Sequence, residues 1–242
     1  MTFGVVAVSI VIVAMASCGQ TISGFGFTLV SVPFLSTVMP PLQAVSLTVL
    51  ISTPLAIIRS RREWKDVHWP SAKRLGLASL IGMPIGIALT SHLPDRPLRL
   101  IIGVAVAMAG VVLATGFRIR SESPSVDLIA GFVSGVLATT TGTNGPPLVI
   151  AMHSRRVSPV IFRATLVVVY LFANVVSLGL FWYYGRLNGS AVKLMGITFV
   201  PMLLGNALGT WLVPKVDDHL FHRLILGLLF LSAGSAIYGA LR

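Results

Sequence analysis

The sequence predicts an all-α polytopic membrane protein made of two inverted repeats. Three observations predict it: a composition too apolar for a soluble surface, apolar segments of membrane-crossing length, and two halves that match at a fixed offset. Of the 242 residues, 10% are charged and 55% are hydrophobic, and the mean hydropathy is +0.91. Soluble domains contain about 25% charged residues, so most of this surface must face lipid.

Ten apolar segments follow one another along the chain. They lie at 4–22, 27–39, 42–58, 75–90, 98–117, 126–140, 145–152, 164–184, 194–213 and 224–241. A helix needs about 20 apolar residues to cross a bilayer, within a range of about 17–25. On this criterion six segments are predicted to cross: 42–58, 75–90, 98–117, 164–184, 194–213 and 224–241. Segments 27–39 and 145–152 are too short.

Each short segment follows a glycine-rich break. The first break is Gly24-Phe25-Gly26, and the second runs from Gly142 to Gly145. We therefore expect 4–39 and 126–152 to form helical hairpins that are broken near the middle of the membrane. Each hairpin returns to the side on which it started. Non-helical backbone at that depth must be surrounded by protein or by a water-filled cavity.

The basic residues predict the orientation in the cell membrane. Thirteen of the 18 Lys and Arg residues lie in the connections 59–74, 118–125, 153–163 and 213–223. The positive-inside rule places these connections in the cytoplasm and both termini outside it. Because the basic residues form no continuous face, the net charge of +11 does not indicate a nucleic-acid partner.

The two halves of the chain match in register. Gly19 and Gly26 correspond to Gly135 and Gly142, both 116 residues further on. Each half contains one broken hairpin and three spans, and an odd number of spans inverts the second half. Inverted repeats are typical of secondary transporters, although glycines in apolar chains can also match by chance. We expect a first repeat at 1–117, a cytoplasmic linker at 118–125 and a second repeat at 126–242.

Two stretches resemble the signatures of a known transporter family. The stretch 24–35 (GFGFTLVSVPFL) resembles the first signature of the sulfite and organosulfonate exporter family of the TauE/SafE type. The stretch 134–149 resembles the second signature and is followed by 162–165 (FRAT) and Asn174. The resemblance covers nearly the whole chain. It implies a membrane transporter that exports a small sulfur-containing anion, either sulfite or an organosulfonate.

The spans provide no titratable carboxylate or imidazole for binding a substrate. All seven acidic residues and all five histidines fall in connections or at the edges of spans, and no buried cation is evident. Helix starts near Phe27 and Asn144 would instead supply free N–H groups and about half a positive charge each. The hydroxyl and amide groups of Thr28, Thr141, Thr143 and Asn144 would add donors.

These considerations predict an anion site between the two breaks, near the middle of the membrane. The predicted substrate-binding residues are Gly24, Phe25, Gly26, Phe27, Thr28, Thr141, Gly142, Thr143, Asn144, Gly145 and Arg163. Arg163 is either a ligand in a vestibule or an anchor at a helix end. The glycines at 82, 86, 205 and 209 are expected to allow close helix packing.

The predicted function is secondary transport of a small sulfur-containing oxyanion out of the cytoplasm by alternating access. The alternatives are a transporter of the same architecture that carries a carboxylate or a metal ion, an anion channel, and a scaffolding protein. No catalytic motif, cofactor site or metal site is present in the sequence, which indicates that the protein is not an enzyme. The expected partners are the anion and the lipid bilayer, and the coupling ion and oligomeric state stay open.

Overall fold

The computed structural model describes residues 3–23, 26–91, 93–115, 123–153, 155, 157–187, 189–212 and 218–241. Within these ranges it contains α-helices and one 3-10 turn, Trp64–Asp66, and no strand. The helices are α1 (Phe3–Ser23), α2 (Phe27–Leu35), α3 (Pro41–Glu63), α4 (Trp69–Ser91), α5 (Asp95–Thr115), α6 (Pro124–Thr140), α7 (Gly145–His153), α8 (Pro159–Tyr183), α9 (Gly189–Leu212) and α10 (Asp218–Leu241). The predicted all-α class is confirmed.

Five helical stretches of the described chain are long and apolar enough to cross a membrane: Phe3–Ile22, Pro41–Asp66, Trp69–Thr90, Pro159–Tyr183 and Gly189–Leu212. Four of them coincide with predicted spans. The fifth is α1, which the sequence assigned to a broken hairpin. The other two predicted spans are α5, which has 21 residues, and α10, which has 24. The first turns of α5 contain Asp95, Arg96 and Arg99, and these charged residues lower the mean hydropathy of the helix. These stretches make the chain a multi-pass membrane protein.

Two of the intervals between helices contain glycines of the predicted breaks. The first helix ends at Ser23 and the next begins at Phe27, while α6 ends at Thr140 and α7 begins at Gly145. Gly26 has a φ of +100° and Gly142 a φ of +69°. These left-handed backbone conformations are strained for residues with a Cβ, so glycine is needed at both positions.

Glycines allow two pairs of helices to pack at very short distance. On α9, a Cβ at Gly205 would clash with the carbonyl oxygen of Ala14 on α1. On α6, a Cβ at Gly135 would clash with the carbonyl oxygen of Ser79 on α4. Gly82, Gly86 and Gly209 are in similar contact with the facing helix, as expected. Small residues at such interfaces are typical of helices packed in membranes.

Contacts between residues define the relative directions of the helices. In both glycine-rich pairs, α1 with α9 and α4 with α6, the two helices run in the same direction: Ala14 and Cys18 of α1 face Gly205 and Gly209 of α9 in the same order. In contrast, α5 and α10 are antiparallel, because Gly103 faces Ile237 while Gly110 faces Phe230.

Helices α3 and α8 are also antiparallel, and they form the centre of the molecule. Asn174 on α8 contacts Ser52 on α3, while the Thr165 hydroxyl accepts a hydrogen bond from the backbone of His68, beyond the end of α3. Each of these two helices has a long buried segment, and the short helices pack on them, α2 on α3 and α7 on α8. The two helix breaks are therefore held against the middle of the two central helices.

Candidate functional site

The starts of α2 and α7 meet α3 and α8 around a cavity of about 30 Å³. That volume is room for roughly two water molecules. The lining contains residues from both breaks, from both central helices and from the end of α1. They are Gln20, Gly26, Phe27, Thr28, Leu29, Ser52, Leu55, Ala56, Arg59, Asn144, Gly145, Val167, Tyr170 and Asn174.

The start of α2 presents backbone donors to this cavity. Gly26 is the N-cap residue, and no side chain caps the helix. The first backbone hydrogen bond of the helix runs from the N–H of Val30 to the carbonyl of Gly26, at 3.1 Å. The N–H groups of residues 27–29 precede that bond and have no acceptor within the helix. No atom lies within 4 Å of the position of a Cβ on Gly26, so this backbone is openly accessible.

The break between α6 and α7 is held by its own hydrogen bonds. The hydroxyl groups of Thr141 and Thr143 lie 2.5 Å apart, and the Thr143 N–H donates to the Thr141 hydroxyl. Ser134 donates to the carbonyl oxygen of Asn144 over 2.8 Å. These contacts fix the turn from which Asn144 and Gly145 line the cavity.

The two breaks are packed against each other. A Cβ added to Gly142 would lie 3.1 Å from a methyl carbon of Val32 and 3.8 Å from the Cβ of Thr28. Both contacts are with α2. The second break therefore lies directly beside the first turns of α2, and the two helix starts share one cavity.

Arg59 contributes a positive charge to the cavity. Its side chain is 13% exposed, and its Nη1 atom is buried without a hydrogen-bond partner. Its Nε atom lies 3.5 Å from Oε1 of Glu63, one turn further along α3. The sequence revealed no buried cation for an anionic substrate, and Arg59 corrects that expectation.

Two other buried polar groups of the lining also lack partners. The Tyr170 side chain is 8% exposed, and its hydroxyl makes no hydrogen bond. The side-chain oxygen of Gln20 is likewise buried and unpaired. Buried polar groups are nearly always satisfied, so these two groups are available to bind water or a ligand at the cavity. No carboxylate is among the residues that line it.

The predicted site residues fall into four groups. Five line the cavity: Gly26, Phe27, Thr28, Asn144 and Gly145. Thr141, Gly142 and Thr143 are buried in the turn beside the cavity. Arg163 does not line the cavity, and its side chain donates a hydrogen bond to the carbonyl oxygen of Pro159 at the start of α8. Gly24 and Phe25 lie outside the described residues.

Nine lining residues were not among the predicted site residues, and five of them are polar: Gln20, Ser52, Arg59, Tyr170 and Asn174. A helical pattern marks some of them, since Ser52, Ala56 and Arg59 are spaced by four and then three residues and share one face of α3. Arg59 also begins the basic connection 59–74, and the positive-inside rule accounts for an arginine at that place equally well.

Comparison with known proteins assigns this helical, multi-pass architecture to a class of membrane transporters. The family model described as "Sulfite exporter TauE/SafE" matches residues 9–236, nearly the whole chain. The chain therefore belongs to the TauE/SafE sulfite exporter family, whose members are transporters rather than enzymes. No curated protein and no solved structure matches it.

Proposed function

We propose that the protein exports a small sulfur-containing oxyanion, sulfite or an organosulfonate, across the cell membrane by alternating access. The anion is held in the cavity between the starts of α2 and α7, with Arg59 as its counter-charge. The observation that carries this proposal is the meeting of two helix starts with buried donors that have no partner. The membership of the TauE/SafE family supports the choice of substrate class.

The donors of the site are strong enough in combination to hold an anion. The start of α2 stabilises a nearby anion by about 0.3–2 kcal/mol. The start of α7 has fewer donors, because Pro146 and Pro147 in its first turn have no N–H. A hydrogen bond to a charged group contributes about 1.5–3 kcal/mol, and Arg59 provides such a group directly. The Tyr170 hydroxyl and the Asn144 amide are neutral donors at the same cavity. An oxyanion with three or more oxygens accepts from several of these groups at once.

The lining disfavours a metal ion as substrate. Hard metal ions require oxygen ligands, usually with carboxylates among them. The cavity contains an arginine and backbone N–H donors instead, and the described residues include no group of three or more metal-binding side chains. A simple carboxylate has the right charge, so it remains the alternative that a binding experiment must separate.

Alternating access is supported by the way in which the helices pack. Suppose that the five helices α1–α5 of the first half correspond, in order, to α6–α10 of the second half. The contact between α1 and α9 then has its counterpart in the contact between α6 and α4. The pairs α3 with α8 and α5 with α10 map onto themselves. All four pairings are present, and this supports a proposal of two repeats related by a pseudo-twofold axis. In such proteins, one repeat rocks against the other around a central site.

The membrane potential is sufficient to drive this export. Moving one elementary charge across 100 mV changes its free energy by about 2.3 kcal/mol. An anion in a cell with a negative interior is therefore driven outwards without a coupling ion. This agrees with a lining that has no carboxylate to carry a proton.

Binding and flux measurements test the proposal. Purified protein is heated with sulfite, thiosulfate, sulfate, sulfoacetate, taurine or simple carboxylates, and we expect sulfite or a sulfonate to raise the melting temperature most. Arg59→Gln should remove this shift, while Arg163→Gln, which removes an arginine that does not line the cavity, should preserve it. Efflux from proteoliposomes should saturate with concentration. A larger shift with a carboxylate, or unsaturable flux, would contradict the proposal.

A further inference from the structure

Arg59 already has a partner within its own helix. Glu63 lies one turn further along α3, and its Oε1 atom is 3.5 Å from the Arg59 Nε atom. This separation makes an ion pair but is too long for a good hydrogen bond. The other carboxylate oxygen of Glu63, Oε2, is buried and has no hydrogen-bond partner. The contact therefore neutralises Arg59 without saturating either group.

The two ends of this ion pair differ in their surroundings. The Arg59 side chain is 13% exposed and that of Glu63 is 29% exposed. Arg59 lines the cavity, whereas Glu63 does not. The Nε edge of the guanidinium faces Glu63, while its Nη1 group is buried without a partner. One guanidinium therefore faces a resident carboxylate through its Nε edge and keeps an unpaired donor at Nη1.

We infer that Glu63 is a resident counter-ion that competes with the transported anion for Arg59 and limits its affinity. This inference rests on the proposed function. With the cavity empty, Glu63 balances a charge that is costly to bury alone. When an anion binds through Nη1, Glu63 and the anion share one cation and repel each other. A carrier benefits from this arrangement, because an anion that is bound too tightly is released slowly.

Neutralising Glu63 should therefore tighten binding and slow release. In Glu63→Gln the side chain keeps its size, and Arg59 gives its whole charge to the anion. Repulsion between two unit charges one turn apart, at a partly exposed position, corresponds to about a tenfold change in affinity. We expect the dissociation constant for sulfite to fall about tenfold. The maximal efflux rate from proteoliposomes should fall as well.

Asp66 provides the matched control. It is an exposed acidic residue in the 3-10 turn that directly follows Glu63, and it does not line the cavity. Asp66→Asn makes the same change in net charge as Glu63→Gln. Its effect on the dissociation constant should be less than twofold. Equal effects of the two substitutions would show that only the overall potential of the loop matters, which would overturn the inference.

The two single variants separate this inference from the proposed function. Calorimetry with sulfite is carried out on Arg59→Gln and on Glu63→Gln, with melting temperatures to confirm folding. If Arg59→Gln abolishes binding and Glu63→Gln tightens it, both ideas stand. If Arg59→Gln abolishes binding but Glu63→Gln leaves it unchanged, the resident counter-ion is wrong and the site stands. If folded Arg59→Gln binds sulfite normally, the proposed site itself fails. Glu63→Asp keeps the charge and should stay within twofold of the native affinity.

Discussion

The side-chain amide of Asn174 donates a hydrogen bond to the Ser52 hydroxyl over 3.0 Å, and this contact joins α8 to α3. Both residues are buried and lie near the middle of their helices. The cavity lies to one side of this link, because Arg59 follows Ser52 by seven residues, or about 10 Å along the helix. The site is thus displaced towards the end of α3 from which the basic connection 59–74 begins.

The predicted orientation can be checked with single cysteines. In a Cys18→Ser background, Lys65→Cys and Ser158→Cys should be shielded from an impermeant thiol reagent added outside intact cells, while Ser190→Cys should react. The reason is the excess of basic residues in 59–74 and 153–163. Permeabilised cells serve as the control, in which all three positions should react. Labelling of Ser158→Cys from outside would contradict the hairpin at 126–152.

Gly26→Ala should impair anion binding more than folding. The residue has a φ of +100°, and a Cβ there would project into open space at the cavity. Gly185 is a matched control, since its φ is +64° and a Cβ would also meet no atom within 4 Å, but it does not line the cavity.

Each of these alanines should cost about 1–2 kcal/mol of stability through left-handed strain. The melting temperatures of the two variants should therefore fall by similar amounts. Only Gly26→Ala should also weaken sulfite binding in calorimetry. Equal affinities of the Gly26→Ala and Gly185→Ala variants for sulfite would show that the anion does not approach the start of α2.

The fold followed from the sequence where backbone requirements dictate the residue type. Breaks at Gly26 and Gly142 need glycine, and glycine in a long apolar run is visible without a structure. Helix bounds at Phe27 and Gly145 follow directly from those breaks. Whether α1 crosses the membrane was harder to predict, because the apolar run 4–22 fits both a full span and one arm of a broken hairpin.

The site was less predictable because its side chains have ordinary roles elsewhere. Tyr170 follows three valines, and tyrosines in membrane helices are also enriched at the membrane–water interface. Gln20 is a polar residue at the end of a helix, which is common at a membrane edge. Whether each side chain faces lipid or protein depends on helix rotation, and rotation is set by packing between the two halves of the chain.

Asp127→Asn should destabilise the protein while leaving transport by the folded fraction intact. The Asp127 side chain is 1% exposed, and its carboxylate accepts hydrogen bonds from Arg74 and Arg155 at 3.0 and 2.7 Å. Removing one partner of such a buried cluster costs about 3–5 kcal/mol. Asp66→Asn, at an exposed position, should have little effect on the melting temperature. Loss of transport with a normal melting temperature would instead assign Asp127 a direct role in transport.

Gly205→Ala should destabilise the contact between α1 and α9. Its Cβ would clash with the carbonyl oxygen of Ala14, and backbone cannot move aside cheaply. Gly196 is the matched control on the same helix, because a Cβ there would meet no atom within 4 Å. Gly196→Ala should be neutral or stabilising by up to about 1 kcal/mol, owing to the higher helix propensity of alanine. Similar melting temperatures for the two variants would contradict this packing.

Asn144 offers the sharpest test of where the anion binds. The residue is 8% exposed and lines the cavity at the start of α7. Asn144→Asp keeps the size of the side chain but adds a negative charge. At ~4 Å from a bound anion, with an effective dielectric constant of 20, the repulsion is about 4 kcal/mol, or a thousandfold in affinity. Asn144→Ala removes only a donor and should cost about 1–3 kcal/mol. Calorimetry with sulfite on both folded variants measures the difference. If aspartate is tolerated as well as alanine, the side chain of Asn144 does not face the anion, and the site must lie away from the start of α7.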